Sequence, residues 1–225
     1  MPERLTLPNN EAANFIAHAT ASNDEQITSE SEAVSATREA TLNNNERDQE
    51  LAHLQQLLTS GVSGKKVIDS LSEFTHLPHQ EIAIKLIEIG KGEMVARYLN
   101  YFTNTNHQEI ANKLIEAGEG MHVAIELDKF TGFSHQEIAK KLIEIGEGET
   151  VVRYLNHFTN TNHQEIANKL IEAGKSWAVA ANLGKFTGLN HQEIANILIE
   201  MGEGKTVAFN LDKFTGLNHQ EIAIK

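Results

Sequence analysis

His79, His107, His135, His163, His191 and His219 recur every 28 residues, each opening the string HQEIA. Imidazole is the commonest neutral metal ligand and titrates near neutral pH, so such a row invites both metal binding and acid-base chemistry. The spacing argues against a shared ion. One histidine per repeat sets neighbours about one helix-packing distance apart, roughly 10 Å, whereas a zinc ligand sits at about 2 Å. Nor is HQE the metalloprotease pattern HExxH, because no second histidine follows four residues on. The residues read instead as cap and packing elements at the first turn of a helix. Glu81, Glu109, Glu137, Glu165, Glu193 and Glu221 then serve as capping-box acids. Loop glycines such as Gly118 with Gly120, or Gly146 with Gly148, suggest a phosphate cradle, but those loops carry Glu119, Glu147 and Glu203 and no P-loop lysine follows. There is no nucleophile elbow, dinucleotide fingerprint or nucleophile-base set, and 0 cysteines exclude thiol catalysis and disulfides. The chain reads as a non-enzyme, with no catalytic residue, metal or cofactor expected.

A period of 28 implies a solenoid. Five repeats fill residues 77–216, opening at Leu77, Thr105, Phe133, Thr161 and Leu189, and a truncated sixth covers 217–225. A divergent N-terminal capping repeat occupies 49–76, where Val67, Leu71, Phe74 and Thr75 precede Val95, Leu99, Phe102 and Thr103 by 28 residues. In the third repeat, Ser134 followed by Glu137 is a capping box, and Asn106, Asn162, Asn190 and Asn218 cap in the same way. Ile138, Ala139, Leu142, Ile143 and Ile145 form a helical stripe that Gly146 should end in a left-handed cap. Val151, Val152, Leu155 and Phe158 mark a second helix of about ten residues, and a Thr-Asn or Thr-Gly step turns into the next repeat. Helices this short are unstable alone, so each repeat must lean on its neighbours. The expected fold is all-α, a right-handed superhelical solenoid of 28-residue helix-loop-helix repeats.

Residues 1–48 hold nine acidic and three basic side chains, which predicts an acidic, largely disordered leader with a short helix from Asn10 to Ala19. The truncated sixth repeat leaves Ile222 and Ala223 without a second helix, which suggests end-to-end association with another chain. No apolar run approaches the roughly 20 residues that span a bilayer, and MPERLTLPNNEA lacks a secretory pattern. A soluble, cytoplasmic protein with no membrane partner is expected.

Comparing repeats locates their differences. The second and fourth are identical from Thr105 to Gly118 against Thr161 to Gly174. Beyond that point Glu119 becomes Lys175, Met121 becomes Trp177, Ile125 becomes Ala181 and Glu126 becomes Asn182. On a helical wheel the varied positions oppose Val123, Ala124, Leu127 and Phe130. The outward set includes large groups that a purely solvated face would not favour. A surface binding a protein or peptide follows, with Tyr98, Met121, Tyr154, Trp177 and Phe209 as anchors and Arg97 and Arg153 beside them.

The third repeat, FSHQEIAKKLIEIGEGETVVRYLNHF, resembles the repeats of transcription activator-like effectors (TALE-like repeats) in its capped start, first helix, glycine-containing loop and Val/Leu second helix. The resemblance implies a superhelix around duplex DNA, read by the interhelical loops. In this sequence those loops hold Gly90, Gly118, Gly146, Gly174 and Gly202. Lys129, Lys185 and Lys213 share one repeat position and should stack into a basic row, so they are the nucleic-acid contacts of that alternative. Against it, the repeats carry thirteen basic and eighteen acidic residues between Leu77 and Gly216, where duplex binding favours a basic surface.

Overall fold

The computed structural model describes residues 35, 36 and 38–218. The chain divides into two compact units, Met1–Leu57 and Leu58–Lys225. The expected helix at Asn10–Ala19 and the truncated repeat beyond Asn218 lie outside the described residues. A helix, α1, runs through residues 38–59, so helix is present at least eleven residues ahead of the expected boundary at 49. Composition explains it. From residue 38 to the first glycine, Gly61, the chain has neither Gly nor Pro and is rich in Glu, Gln, Leu and Ala, which favour helix.

The second unit is an α-solenoid, with no strand among the described residues. Its divergent first repeat contributes α2 (Gly64–Asp69). The first helices of the five regular repeats are α3 (His79–Glu88), α5 (His107–Glu116), α7 (His135–Glu144), α9 (His163–Glu172) and α11 (His191–Glu200). Their second helices are α4 (Gly92–Arg97), α6 (Gly120–Ile125), α8 (Gly148–Arg153), α10 (Ser176–Ala181) and α12 (Gly204–Phe209). The expected ten-residue second helix is therefore six α-helical residues followed by a three-residue 3-10 turn, as at Leu99–Tyr101 after α4. Tightening to i→i+3 bonds, Tyr101 N–H to Tyr98 and Phe102 N–H to Leu99, lets the chain leave the helix within one residue.

Packing follows the apolar pattern. In the third repeat Ile138, Ala139, Leu142 and Ile143 from α7 meet Val151, Val152, Leu155 and Phe158, and all are buried. Each first helix packs on its own second helix, and second helices pack on one another in sequence. Successive first helices do likewise, except that α5 and α7 approach more sparsely than the other pairs. Gly146 ends α7 in the left-handed region, φ 91°, with Glu147 N–H reaching back to Leu142, as the cap pattern predicts. The repeat-closing turn takes the same conformation at Asn104 and Asn160, φ 54° and 56°, where other repeats use glycine. Asparagine is the residue that best tolerates this besides glycine.

Candidate partner-binding site

The solenoid presents two polar surfaces of different character. On the first helices, the repeated HQE triplet is a bonding frame. Nδ1 of His79, His107, His135, His163 and His191 accepts the backbone N–H of the threonine closing its own repeat, from Thr103 to His79 at 3.0 Å through Thr187 to His163 at 2.7 Å and Thr215 to His191 at 2.9 Å. An N–H can only donate, so Nδ1 is the accepting ring nitrogen, and in His79 the other, Nε2, lies 3.3 Å from the Leu71 carbonyl. His79, His107, His163 and His191 also stand edge-on to a buried Phe of the same repeat at 6.0–6.4 Å. Burial lowers the pKa of His107, His135 and His163, with Asp128 opposing the shift at His135. Among the described residues no group of three or more His, Asp or Glu could hold a metal ion.

The glutamine joins one repeat to the next. Oε1 of Gln80, Gln136, Gln164 and Gln192 accepts the backbone N–H of the following cap, Asn106, Asn162, Asn190 and Asn218, at 2.7–3.0 Å. That donor is the one a capping-box glutamate was expected to take. The other half of the cap is as expected at asparagine, since Asn106, Asn162 and Asn190 each accept the N–H of the glutamate three residues on at 3.2 Å. Ser134 departs: it accepts from Gln136 N–H, and Glu137 turns to Lys140 at 3.4 Å. The side chain of Gln108, which would serve Ser134, has no hydrogen bond among the described residues. This is also the sparse α5–α7 junction, which Lys141 spans to Asn112 at 2.9 Å and Glu116 at 3.3 Å. Gln80 leaves its buried Nε2 without a partner. Gln164 and Gln192 donate to an asparagine at i+4, a position held by Ile84 in the first repeat. These inter-repeat bonds give a structural reason for the recurrence of the HQE start of the first helices. The confinement of differences between the second and fourth repeats to the residues after Gly118 and Gly174 is then partly a packing effect.

The second-helix surface differs repeat by repeat. The basic row exists, but its ammonium groups face carbonyl oxygens. Lys129 donates to Arg97 O at 2.5 Å and pairs with Glu126 at 2.6 Å, and Lys213 donates to Ala181 O at 3.1 Å. Lys185 reaches Val152 O at 3.4 Å, and His157, at the same repeat position, sets Nδ1 3.0 Å from Ile125 O. Cations at a helix C-terminus meet its unpaired carbonyls and the negative end of its dipole, so the row caps the preceding second helix. Gly90, Gly118, Gly146, Gly174 and Gly202 are exposed left-handed caps. The preceding loop residues Ile89, Ile145 and Met201 are also solvent-exposed.

The expected anchors separate into two kinds. Tyr98 is half-buried, edge-on to Tyr101 at 5.9 Å, with Lys65 Nζ 5.7 Å from its ring centre. Tyr154 packs in the same way on His157, and Arg97 pairs with Glu93 at 2.5 Å. Met121, Trp177 and Phe209 stand out in solvent, Trp177 at 57% and Phe209 at 75% exposure. A groove of about 510 Å³ between α8 and α10 gathers Trp177 with Arg153, Lys185 and Gly174. Val152, Ala178 and Ala181 supply its apolar wall. Arg153 has no ion-pair or hydrogen-bond partner among the described residues. Sequence comparison marked Lys175 and Asn182 as varied positions but did not place them, or Glu149, among the binding residues, and all three line the groove. Lys175 pairs with Glu149 at 3.1 Å, and Asn182 Nδ2 donates to Ala178 O at 2.9 Å. The signal available was Lys175 itself, which stands where three other repeats place Glu119, Glu147 and Glu203.

No helix among the described residues is long and apolar enough to cross a membrane. Comparison with protein families, curated proteins and solved structures finds no match.

Proposed function

We propose that this helical-repeat chain is a non-enzymatic scaffold that binds a protein or peptide on its second-helix face, with the α8–α10 groove at the centre. The observation that carries this reading is Trp177, 57% exposed beside the unpartnered Arg153 in a groove with an apolar wall. A tryptophan left in water forfeits more apolar burial than any other side chain, and Trp and Arg dominate the few positions that hold most of an interface's energy. The alternative carried by the TALE-like resemblance, duplex DNA, has less support, because Lys129, Lys185 and Lys213 are engaged with carbonyl oxygens and the repeats are acidic.

Selection of peptides from a random display library on the immobilised chain tests the reading. Enriched peptides should lose about tenfold or more in affinity on Trp177→Ala, the loss of one hot-spot contact. Enriched peptides indifferent to substitution at Trp177, Met121 and Phe209 would refute the proposed face.

A further inference from the structure

The repeats offer the same surface positions several times, and only their side chains decide what each groove takes. Between α8 and α10, Arg153, Lys175 and Lys185 face a single carboxylate, Glu149. One repeat earlier, the corresponding positions set Glu147 and Glu149 against Arg153. Two repeats earlier they set Glu93, Glu119 and Glu126 against Arg97 and Lys129. The charge therefore reverses at the groove that also holds the chain's one tryptophan, in a protein whose net charge is -12. Of its three cations, Arg153 is unpartnered and Lys185 has only a long bond to a carbonyl.

Resting on the reading above, we propose that the α8–α10 groove recognises an acidic peptide segment with an aromatic or large aliphatic side chain flanked by carboxylates. The apolar side chain lies against Trp177 and the wall of Val152, Ala178 and Ala181, and the carboxylates meet Arg153 and Lys175. A guanidinium fork fits a carboxylate bidentately, which makes Arg153 the main determinant of charge. The two preceding grooves carry a carboxylate excess, so cationic grooves along the array are interrupted by acidic ones. That suits a short local anion and repels a long polyanion laid along the array.

Trp177 is its own reporter, since no other tryptophan contributes emission. The probes are a blocked pentapeptide Glu-Glu-Phe-Glu-Glu, its Gln-Gln-Phe-Gln-Gln isostere, and oligothymidylate of five nucleotides. The acidic peptide should shift Trp177 emission saturably and bind at least about fivefold more tightly than the isostere. Lys175→Glu installs the residue of neighbouring repeats, so the fold is kept. It should weaken the acidic peptide about fivefold to tenfold, twice the effect of one exposed ion pair. Lys169→Glu, an equal charge change on α9, should leave binding unchanged. Equal binding of acid and amide peptides, or equal loss with Lys169→Glu, would overturn the acidic preference while leaving the peptide-binding face intact. Tighter binding of oligothymidylate than of the acidic peptide, or no response to either peptide, would overturn the proposal. Failure of the binding face itself is read separately, from the Trp177→Ala outcome with selected peptides.

Discussion

Gln108 and Gln164 occupy the same repeat position in the same local sequence, yet Gln164 Oε1 accepts Asn190 N–H at 3.0 Å and Gln108 makes no bond across its junction. Replacing each with alanine therefore separates the inter-repeat bond from everything else about the residue. A hydrogen bond of this kind contributes about 0.5–1.5 kcal/mol net. Gln164 also donates to Asn168 at 3.2 Å, a further small contribution on a half-exposed surface. Alanine's slightly better helix propensity applies to both variants and cancels in the comparison. Gln164→Ala should thus be less stable than Gln108→Ala by about 1–1.5 kcal/mol, or roughly 2–6 °C in melting temperature for a chain of this size. Far-UV circular dichroism melts of the two variants give the difference, and amide exchange at Asn190 should accelerate only in Gln164→Ala. Melting temperatures that agree, or an Asn190 amide equally protected in both, would refute the idea that this glutamine joins adjacent repeats.

Two further outcomes follow from the same geometry. Burial lowers His107, His135 and His163 below their ordinary value of 6.5. Between the folded and unfolded pKa values the unfolded chain binds more protons, so stability is fully present above about pH 6.5 and declines as pH falls below it. A urea midpoint that rises between about pH 7.5 and 5.5, a range above carboxylate titration, would contradict this. At the first residue of the second helix, a Cβ on Gly120 would lie 2.5 Å from buried Leu142 Cδ2, whereas one on Gly204 meets nothing within 4 Å among the described residues. Gly120→Ala should cost about 1–2 kcal/mol through overpacking and Gly204→Ala should be neutral or gain about 0.5 kcal/mol, as compared by urea unfolding.

The repeat register, the buried stripe of Ile138, Ala139, Leu142 and Ile143, and the cap at Gly146 were legible because burial and backbone conformation impose a period on the sequence. Bonds between repeats were not. The glutamine after each histidine is constant, but only the fold shows that its amide reaches a cap 26 residues ahead. The row of Lys129, Lys185 and Lys213 was legible as a position and misleading as a surface, since the carbonyls it meets belong to the preceding repeat. Trp177 and Arg153 were recognised as binding groups, while Lys175 and Asn182 were noted only as varied positions, because their convergence depends on how α8 and α10 pack. The helix ahead of residue 49 was missed for a different reason: a polar, acidic segment without an apolar stripe reads as unstructured even where its residues favour helix.

The junction between the second and third repeats has a mechanical consequence. Elsewhere an uncharged amide joins the first helices, and at the α7–α9 junction the Lys140–Glu165 ion pair at 2.8 Å adds to it. Here the link across the gap is the ammonium of Lys141 shared between Asn112 and Glu116. Salt screens such a pair and leaves the amide links untouched. In a one-dimensional array cooperativity passes only through neighbours. Rising ionic strength also screens the Lys140–Glu165 pair across α7–α9, but that junction keeps its amide, so the joint between the second and third repeats loosens most, one repeat before the groove that holds Trp177.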